Sequence, residues 1–263
     1  MVPGAPSTYH YQATTPVRSH TQRVVDELGL AIVSSRLPSG SLLPGDSELI
    51  EQYRVSRTVL REAFKTLSAK GLVQAKARIG TRVRGRADWN LFDPDVLLWH
   101  ARTGFAPEFL THLGEMRMAL EPEAAALAAQ RRTPEQLEVI EGWMTAMSAE
   151  DVSAQGFVDA DLGLHLAVAD AASNPFFLSI STLIEVALVA MLTISSPVES
   201  SVRLGQSIAQ HRAIVDAIAE RDPPAARKAM QVVVQQGLER SHQATIRAPA
   251  PVPDQAVLPS GRA

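Results

Sequence analysis

The sequence predicts a mainly α protein: an N-terminal winged helix-turn-helix followed by an all-α antiparallel bundle of six or seven helices. Three observations carry this. Residues 22–67 hold three short amphipathic helical runs separated by tight breaks, and two strand-like runs follow them. From about residue 90 the apolar periodicity is helical, with no convincing strands. Charge divides at the same place: residues 1–86 contain 13 Lys and Arg against 6 Asp and Glu, and the remainder 12 against 22. The formal net charge of −3 therefore hides a basic head on an acidic body, and a basic head favours polyanions.

The head begins with Gln22–Ser35, where Val25, Leu28, Leu30 and Ala31 recur at helical period before the breaker run Pro38-Ser39-Gly40. Leu43-Pro44-Gly45-Asp46 leads into a second short helix, Ser47–Tyr53, and a tight turn at Arg54-Val55 delivers a third. In that third helix Ser56 stands where an N-cap belongs. Leu60, Ala63, Phe64 and Leu67 form its buried stripe, and Arg57, Thr58, Arg61 and Lys65 share the wet face. By itself that face is equally a solvated surface. Its place as the second member of a helix-turn-helix favours a recognition helix, with Arg able to fork onto guanine and Thr and Lys able to reach phosphates or bases. Gly71 ends the helix as a C′ glycine. Leu72–Ala77 and Thr81–Arg84 then read as two strands around Arg78-Ile79-Gly80, a wing with a basic tip and a glycine permitting close backbone approach.

These blocks resemble the winged-helix domain of GntR-type transcription regulators. The likeness rests on Gly40-x-x-Leu43-Pro44, Val55-Ser56-Arg57-Thr58-x-x-Arg61-Glu62-Ala63, Gly71-Leu72-Val73 and the Gly80 wing, in that order across about 65 residues. It implies double-stranded operator DNA as the partner and Ser56, Arg57, Thr58, Arg61, Lys65, Arg78 and Gly80 as the contacting set. One position departs: Ser47 stands where family members often carry a DNA-contacting Arg.

Composition sets further bounds. The 263 residues allow two domains, and the absence of Cys excludes a disulfide framework, a thiolate nucleophile and a thiolate metal site. No apolar run reaches spanning length and no signal-peptide core is present, so a soluble cytoplasmic protein with no membrane partner is expected. The expected division is a disordered tail at 1–16, the winged-helix domain at 17–86, a linker at 87–104 and the helical effector-binding and dimerisation domain at 105–247. A disordered tail at 248–263 completes it. Trp89 and Trp99 flank the linker as packing anchors.

Breaks near Gly104, Thr133-Pro134, Ser153, Ser173-Asn174-Pro175, Ser195-Ser196-Pro197 and Asp222-Pro223-Pro224 separate the helices of the body. Several stripes that should be apolar carry polar residues. Asp161 and His165 face inward between Phe157 and Val168, about 6 Å apart along one helix face. His211 lies on the stripe of Ile208 and Ile214, Arg117 on that of Leu113 and Leu120, and Arg240 in line with Val233 and Gly237. Each has an ordinary alternative: Asp161 and His165 as a surface pair, His211 as a satisfied core histidine, Arg117 as the partner of Glu121. Together, on inward stripes of four helices, they point to a wet cavity for an anion, a metal or both, because burying such groups unpaired is very costly.

Asp161-x-x-x-His165, Ser173-Asn174-Pro175 and His211-x-x-Ile214-x-x-Ala217-Ile218 resemble the FCD effector domain of the FadR-type branch. That resemblance implies a divalent metal on Asp161, His165 and His211. The branch's last His falls at Val233, and His242 lies too far along to replace it. Zinc accepts three protein ligands, which makes it the expected metal. Trp89–Trp99 and Glu115-Met116-Arg117-x-x-x-Glu121-Pro122 are similar to the galactonate-operon repressors of this branch. They imply a homodimeric repressor of sugar-acid catabolism, released from its operator by D-galactonate or a related aldonate. Arg117, Ser207, His211 and Arg240 would form the effector site. Another small carboxylate is the alternative effector. A metal-dependent enzyme with a nucleic-acid-binding head is the alternative class, against which stands the lack of a clear general base or nucleophile motif.

Overall fold

A computed structural model describes residues 19–194 and 197–247. The two expected disordered tails, 1–16 and 248–263, and part of the Ser195-Ser196-Pro197 break lie outside the described residues.

The head opens with α1 (His20–Val33), capped by the Ser19 hydroxyl accepting from Gln22 N–H at 3.1 Å. Helix α2 (Asp46–Tyr53) ends at Arg54 in the left-handed region, φ 52°. That turn re-aims the chain into α3 (Arg57–Ala69), where Ser56 Oγ accepts from Val59 N–H at 3.3 Å. Leu60, Ala63 and Leu67 of α3 are buried against Val24, Val25 and Leu28 of α1, and Phe64 is half-buried at the edge. Gly71 has φ +79° and lies so close to the 3-10 turn at Arg86–Asp88 that a Cβ would stand 2.2 Å from the Asp88 carbonyl. No side chain fits there.

Strands β1 (Val73–Lys76) and β2 (Gly80–Val83) pair antiparallel, Val73 opposite Val83 and Lys76 opposite Gly80. The Gly40–Leu43 segment lies along the outer edge of β2. Gly40 N–H donates to the Val83 carbonyl, Leu43 N–H to Thr81 and Val83 N–H to Ser41. The Gly40-x-x-Leu43-Pro44 block is thus the piece that fastens the wing to the helices.

The segment expected as a linker carries α4 (Pro94–Arg102), begun by Asp93 as N-cap with Pro94 in the first turn. Lys70, just past α3, places its ammonium 2.7 Å from Asp93 Oδ1 and 2.8 Å from Asp95 Oδ2. Val96 and Trp99 of α4 join the head core, whereas Leu97 packs with Leu113, Leu183 and Ala187 of the body. On the same helix, His100 stacks on Phe109 with ring centroids 4.2 Å apart.

The body comprises α5 (Pro107–Arg131), α6 (Pro134–Met147), α7 (Ala154–Ala171), the short α8 (Pro175–Ser179), α9 (Ser181–Ile194), α10 (Ser201–Ala219) and α11 (Pro223–Arg247). Their starts follow local chemistry. Thr133 and Gln136 form a capping box. Ser153, Asn174 and Ser200 each accept a first-turn N–H. α5 packs along α11, α6 along α7 and α10 along α11. Alanines of α5, Phe157 and Leu164 of α7, Ile214 and Ile218 of α10, and Met230 of α11 fill the main core. The close approaches are made at glycine: a Cβ on Gly163 would meet the Trp143 ring at 2.4 Å, and one on Gly114 would meet Leu238 at 2.6 Å.

Candidate functional site

Two surfaces carry chemistry. On the head, Arg57, Thr58, Arg61 and Lys65 are all exposed on the side of α3 opposite Leu60, Ala63 and Leu67. Lys65 meets Glu62 at 2.8 Å, but both are well exposed, and such a pair contributes too little to keep Lys65 from a phosphate. Among the described residues Arg57, Arg61 and Arg78 have no carboxylate partner. The wing turns at Arg78, φ 61°, and Gly80, φ +113°, which puts the guanidinium of Arg78 at the exposed tip beside the bare backbone of Gly80. Helix α3 and the wing tip are therefore cationic, uncommitted and solvent-facing.

In the body, α5 contributes Arg117 and Glu121, α7 contributes Asp161 and His165, α10 contributes Ser207 and His211, and α11 contributes Val233 and Arg240. Arg117, Glu121, Asp161, His165, Ser207 and His211 are each no more than 3% exposed. All of these but Glu121 border a cavity of about 360 Å³, open solvent included, whose other walls include Phe157, Leu188 and Leu192. Its lining mixes charged and polar side chains with apolar ones.

Ligand atoms of Asp161, His165 and His211 lie within 4.8 Å of one another. His211 Nδ1 is 2.7 Å from the Ser207 carbonyl. A carbonyl only accepts, so Nδ1 carries the hydrogen. His211 Nε2 lies 2.7 Å from Asp161 Oδ1 yet out of line for a hydrogen bond. With the hydrogen on Nδ1, a neutral ring leaves its Nε2 lone pair beside the Asp161 carboxylate, available to a metal ion. His165 Nε2 is buried in the same cavity without a hydrogen-bond partner. Its Nδ1 is held by Glu121 Oε2, and Arg117 Nε by Glu121 Oε1. Metal-binding histidines characteristically give their second nitrogen to a carboxylate or carbonyl, and both histidines here do so.

The carboxylates are ready as anions. Burial alone would raise the pKa of Asp161. The facing His211, with smaller help from His165 and Arg117, more than reverses this and holds it at about 2. Glu121 behaves alike: burial raises it, Arg117 and His165 lower it further, to about 2. The residues present thus fit a divalent metal, with three ligands and two second-layer partners.

The structure brings Arg117, Ser207, His211 and Arg240 to this cavity, but it commits the two arginines differently. Arg117 is forked on Glu121, with a second contact at 3.2 Å. Arg240 has no hydrogen bond or ion pair among the described residues. Its guanidinium feels Asp161 only at a distance, and its pKa is lowered by burial and by Arg203 and Arg117. His242 takes no part in the cluster. Its Nε2 lies 2.9 Å from Thr111 Oγ1, and the position of the branch's last His is filled by buried Val233. The partnership of Glu121 with His165 was missed by sequence reasoning, which sees Glu121 only as the i+4 neighbour of Arg117.

Comparison with known proteins identifies the family. Residues 20–83 match the bacterial regulatory proteins of the gntR family, and residues 112–236 match the FCD domain. The galactonate operon transcriptional repressor of Escherichia coli K12 is 32% identical over 225 residues, covering 86% of this chain and 98% of that protein. The chain belongs to the GntR family of transcription regulators, with an FCD domain. A second relative in the family, the HTH-type transcriptional regulator YieP of Escherichia coli K12, is 35% identical over 213 residues, 80% of this chain and 90% of its own. The solved structure of Lar, described as controlling expression of the Listeria monocytogenes agr system, superposes with a TM-score of 0.60 at 19% identity. It covers 87% of this chain and 99% of its own, and shows the shared fold. This GntR regulator is therefore a DNA-binding protein and not an enzyme. Among the described residues no helix is long and apolar enough to cross a membrane.

Proposed function

We propose that this GntR regulator is a homodimeric repressor of sugar-acid catabolism, released from its operator when D-galactonate or a related aldonate enters the FCD cavity. Residues 17–86 would form the DNA-binding head and residues 105–247 the effector-binding and dimerisation domain. The observation that carries the reading is the set of charged and polar side chains lining the cavity. A half-buried cation, Arg240, with no hydrogen bond or ion pair among the described residues, lines the same cavity as Asp161, His165 and His211. The galactonate repressor matched over nearly its whole length supplies the effector class.

Arg240 would take the effector carboxylate as a charge-assisted fork, with Arg117 alongside and Ser207 bonding a hydroxyl. Asp161, His165 and His211 would hold a divalent metal, zinc by its tolerance of three protein ligands. When bound, that metal supplies a Lewis-acidic position for carboxylate and hydroxyl oxygens. Two recognition helices of a dimer would read an inverted repeat, with Arg57, Thr58 and Arg61 at base edges or phosphates, Lys65 at phosphate, and Arg78 with Gly80 bringing the wing to the backbone. Effector binding shifts the head arrangement only by its differential affinity for the two states. Helix α4, shared between head and body cores, is the element through which such a shift would pass.

A second reading keeps the regulator and changes the ligand. Phe157, Leu188, Leu192 and Val233 make part of the lining apolar, which suits a short organic acid better than a chain of hydroxyls. Fluorescence anisotropy of the DNA upstream of this gene, titrated with protein and then with D-galactonate, separates the two. Salt-sensitive binding released by galactonate is the expected result. Binding that galactonate leaves intact, but a shorter hydroxy acid relieves, would favour the second reading. Binding no tighter than to random DNA would remove the upstream region as an operator.

A further inference from the structure

Glu121 sits on α5 at 3% exposure, and both of its oxygens are engaged. One receives Arg117 Nε. The other receives a second Arg117 nitrogen and lies against His165 Nδ1, contributed by a different helix. An ionised carboxylate can only accept, so the hydrogen between it and His165 sits on Nδ1. In the neutral ring the lone pair then lies on Nε2, which has no hydrogen-bond partner, while His165 lies in the cluster with Asp161 and His211. The opposite tautomer would set a lone pair against the carboxylate and bury an N–H with nothing to receive it, a double penalty.

We propose that Glu121 is the positioning residue of the cavity: its carboxylate fixes His165 in the Nδ1–H tautomer, presenting Nε2 as a ligand, and holds the Arg117 guanidinium beside it. The ligand half of this rests on the metal reading given above; the tautomer half does not. One carboxylate thereby ties a residue of the metal cluster to a residue of the effector site, across α5 and α7. Replacing it with an amide of the same shape has a definite consequence. In Glu121→Gln the side-chain oxygen is drawn to Arg117, and the NH₂ group turns toward His165. Nδ1 must then accept, and the hydrogen moves to Nε2.

Long-range ¹H–¹⁵N correlation of the imidazole rings in the metal-free, full-length protein reads this directly. Wild type is expected to show His165 as Nδ1–H and Glu121→Gln as Nε2–H. Zn²⁺ affinity, measured by competition with a chelating dye, should fall by about 10- to 100-fold in the variant, the usual cost of losing such a second-layer partner. Glu121→Asp, which keeps a carboxylate, should retain the Nδ1–H form. Finding Nε2–H in the wild type would overturn the proposal without any variant having to fold. Persistence of Nδ1–H in Glu121→Gln, with Zn²⁺ affinity within about threefold of wild type on the scale of that expected loss, would overturn it as well. If the tautomers behave as expected but wild type takes no Zn²⁺, the hold of Glu121 on His165 stands and the metal reading fails.

Discussion

The ring of Trp99 lies against the backbone of Gly29, so close that a Cβ on Gly29 would fall 2.5 Å from the nearest ring atom. Trp99 Nε1 also donates to Asp26 Oδ1 at 3.3 Å. Two residues a turn apart on α1 thus grip one indole of α4, and the Lys70–Asp93 bridge ties the end of α3 to the start of the same helix. Helix α4 is pinned to the head while Leu97 is embedded in the body.

Gly29→Ala is therefore expected to destabilise. The added methyl restores helix propensity worth about 1 kcal/mol. It also drives into a fully buried ring that cannot swing aside, and overpacking of that kind costs roughly 1–3 kcal/mol. The clash wins, because the contacted atoms belong to a rigid ring rather than the end of a flexible chain. Thermal unfolding should show a melting temperature lower by a few degrees, about 2–4 °C for each kcal/mol in a chain of this size. An unchanged or raised melting temperature would mean that the indole is not seated on Gly29.

Arg61→Ala tests the face of α3. Arg61 is exposed and supports no fold contact, so the variant should unfold as wild type does. Operator binding should weaken by roughly 10- to 100-fold, the worth of one base or phosphate fork, and effector binding should not change. If the lost contact is to phosphate, the slope of log affinity against log salt should shrink by about one unit. Wild-type operator affinity would take Arg61 off the DNA face.

The head was legible because each of its devices is local. Ser56 caps its own helix, Gly71 is required by its own positive φ, and the wing turn is written in Arg78-Ile79-Gly80. Boundaries in the body were legible wherever a cap residue stands beside proline, as at Thr133-Pro134 and Asn174-Pro175. The division of α8 from α9 around Ile180 was not, since Ser179-Ile180-Ser181 contains neither proline nor glycine. In the cavity, spacing brought out residues that the fold does bring together, but not the contacts between helices. Periodicity pairs Asp161 with His165 and Arg117 with Glu121, each within one helix. In the fold Asp161 faces His211 and Glu121 faces His165. Those pairs cross between helices, and no spacing within one helix encodes which stripes will meet.

Acid should reach this cluster in a defined window. Asp161 and Glu121 have folded pKa values of about 2, below their ordinary 3.8 and 4.5. Depressed carboxylates contribute stability that is present above the unfolded values and lost as pH falls through the folded ones. Metal-free protein should therefore lose stability steeply between about pH 4.5 and pH 2, each group contributing on the order of 1.4 kcal/mol per unit of its depression. Urea unfolding at a series of pH values reads the slope. Glu121→Gln, lacking one of the two titrations, should be less stable near neutrality and show a shallower acid slope. A slope equal to that of wild type would mean that the carboxylate of Glu121 does not distinguish the folded from the unfolded state.

The two arginines of the cavity should respond differently to removal, because one is already occupied. Arg117→Ala takes the guanidinium away from Glu121 and leaves a fully buried carboxylate with only His165. The variant should lose stability by several kcal/mol, as breaking a buried pair does, before any effect on effector can be read. Arg240→Ala breaks no hydrogen bond or ion pair among the described residues. It removes a half-buried cation whose charge burial disfavours, so stability should hold or rise slightly. What it removes is the carboxylate clamp, worth about 1.5–3 kcal/mol for a charge-assisted bond, or roughly 10- to 150-fold in affinity. Arg240→Ala should thus remain folded and bound to operator at D-galactonate concentrations that release the wild type, with Arg240→Lys intermediate because a point charge lacks the fork. Calorimetric titration with D-galactonate, run beside operator release, checks both halves. If Arg240→Ala binds and releases as wild type does, the carboxylate lies on Arg117, and the bridge from Arg117 to Glu121 must open when the effector enters.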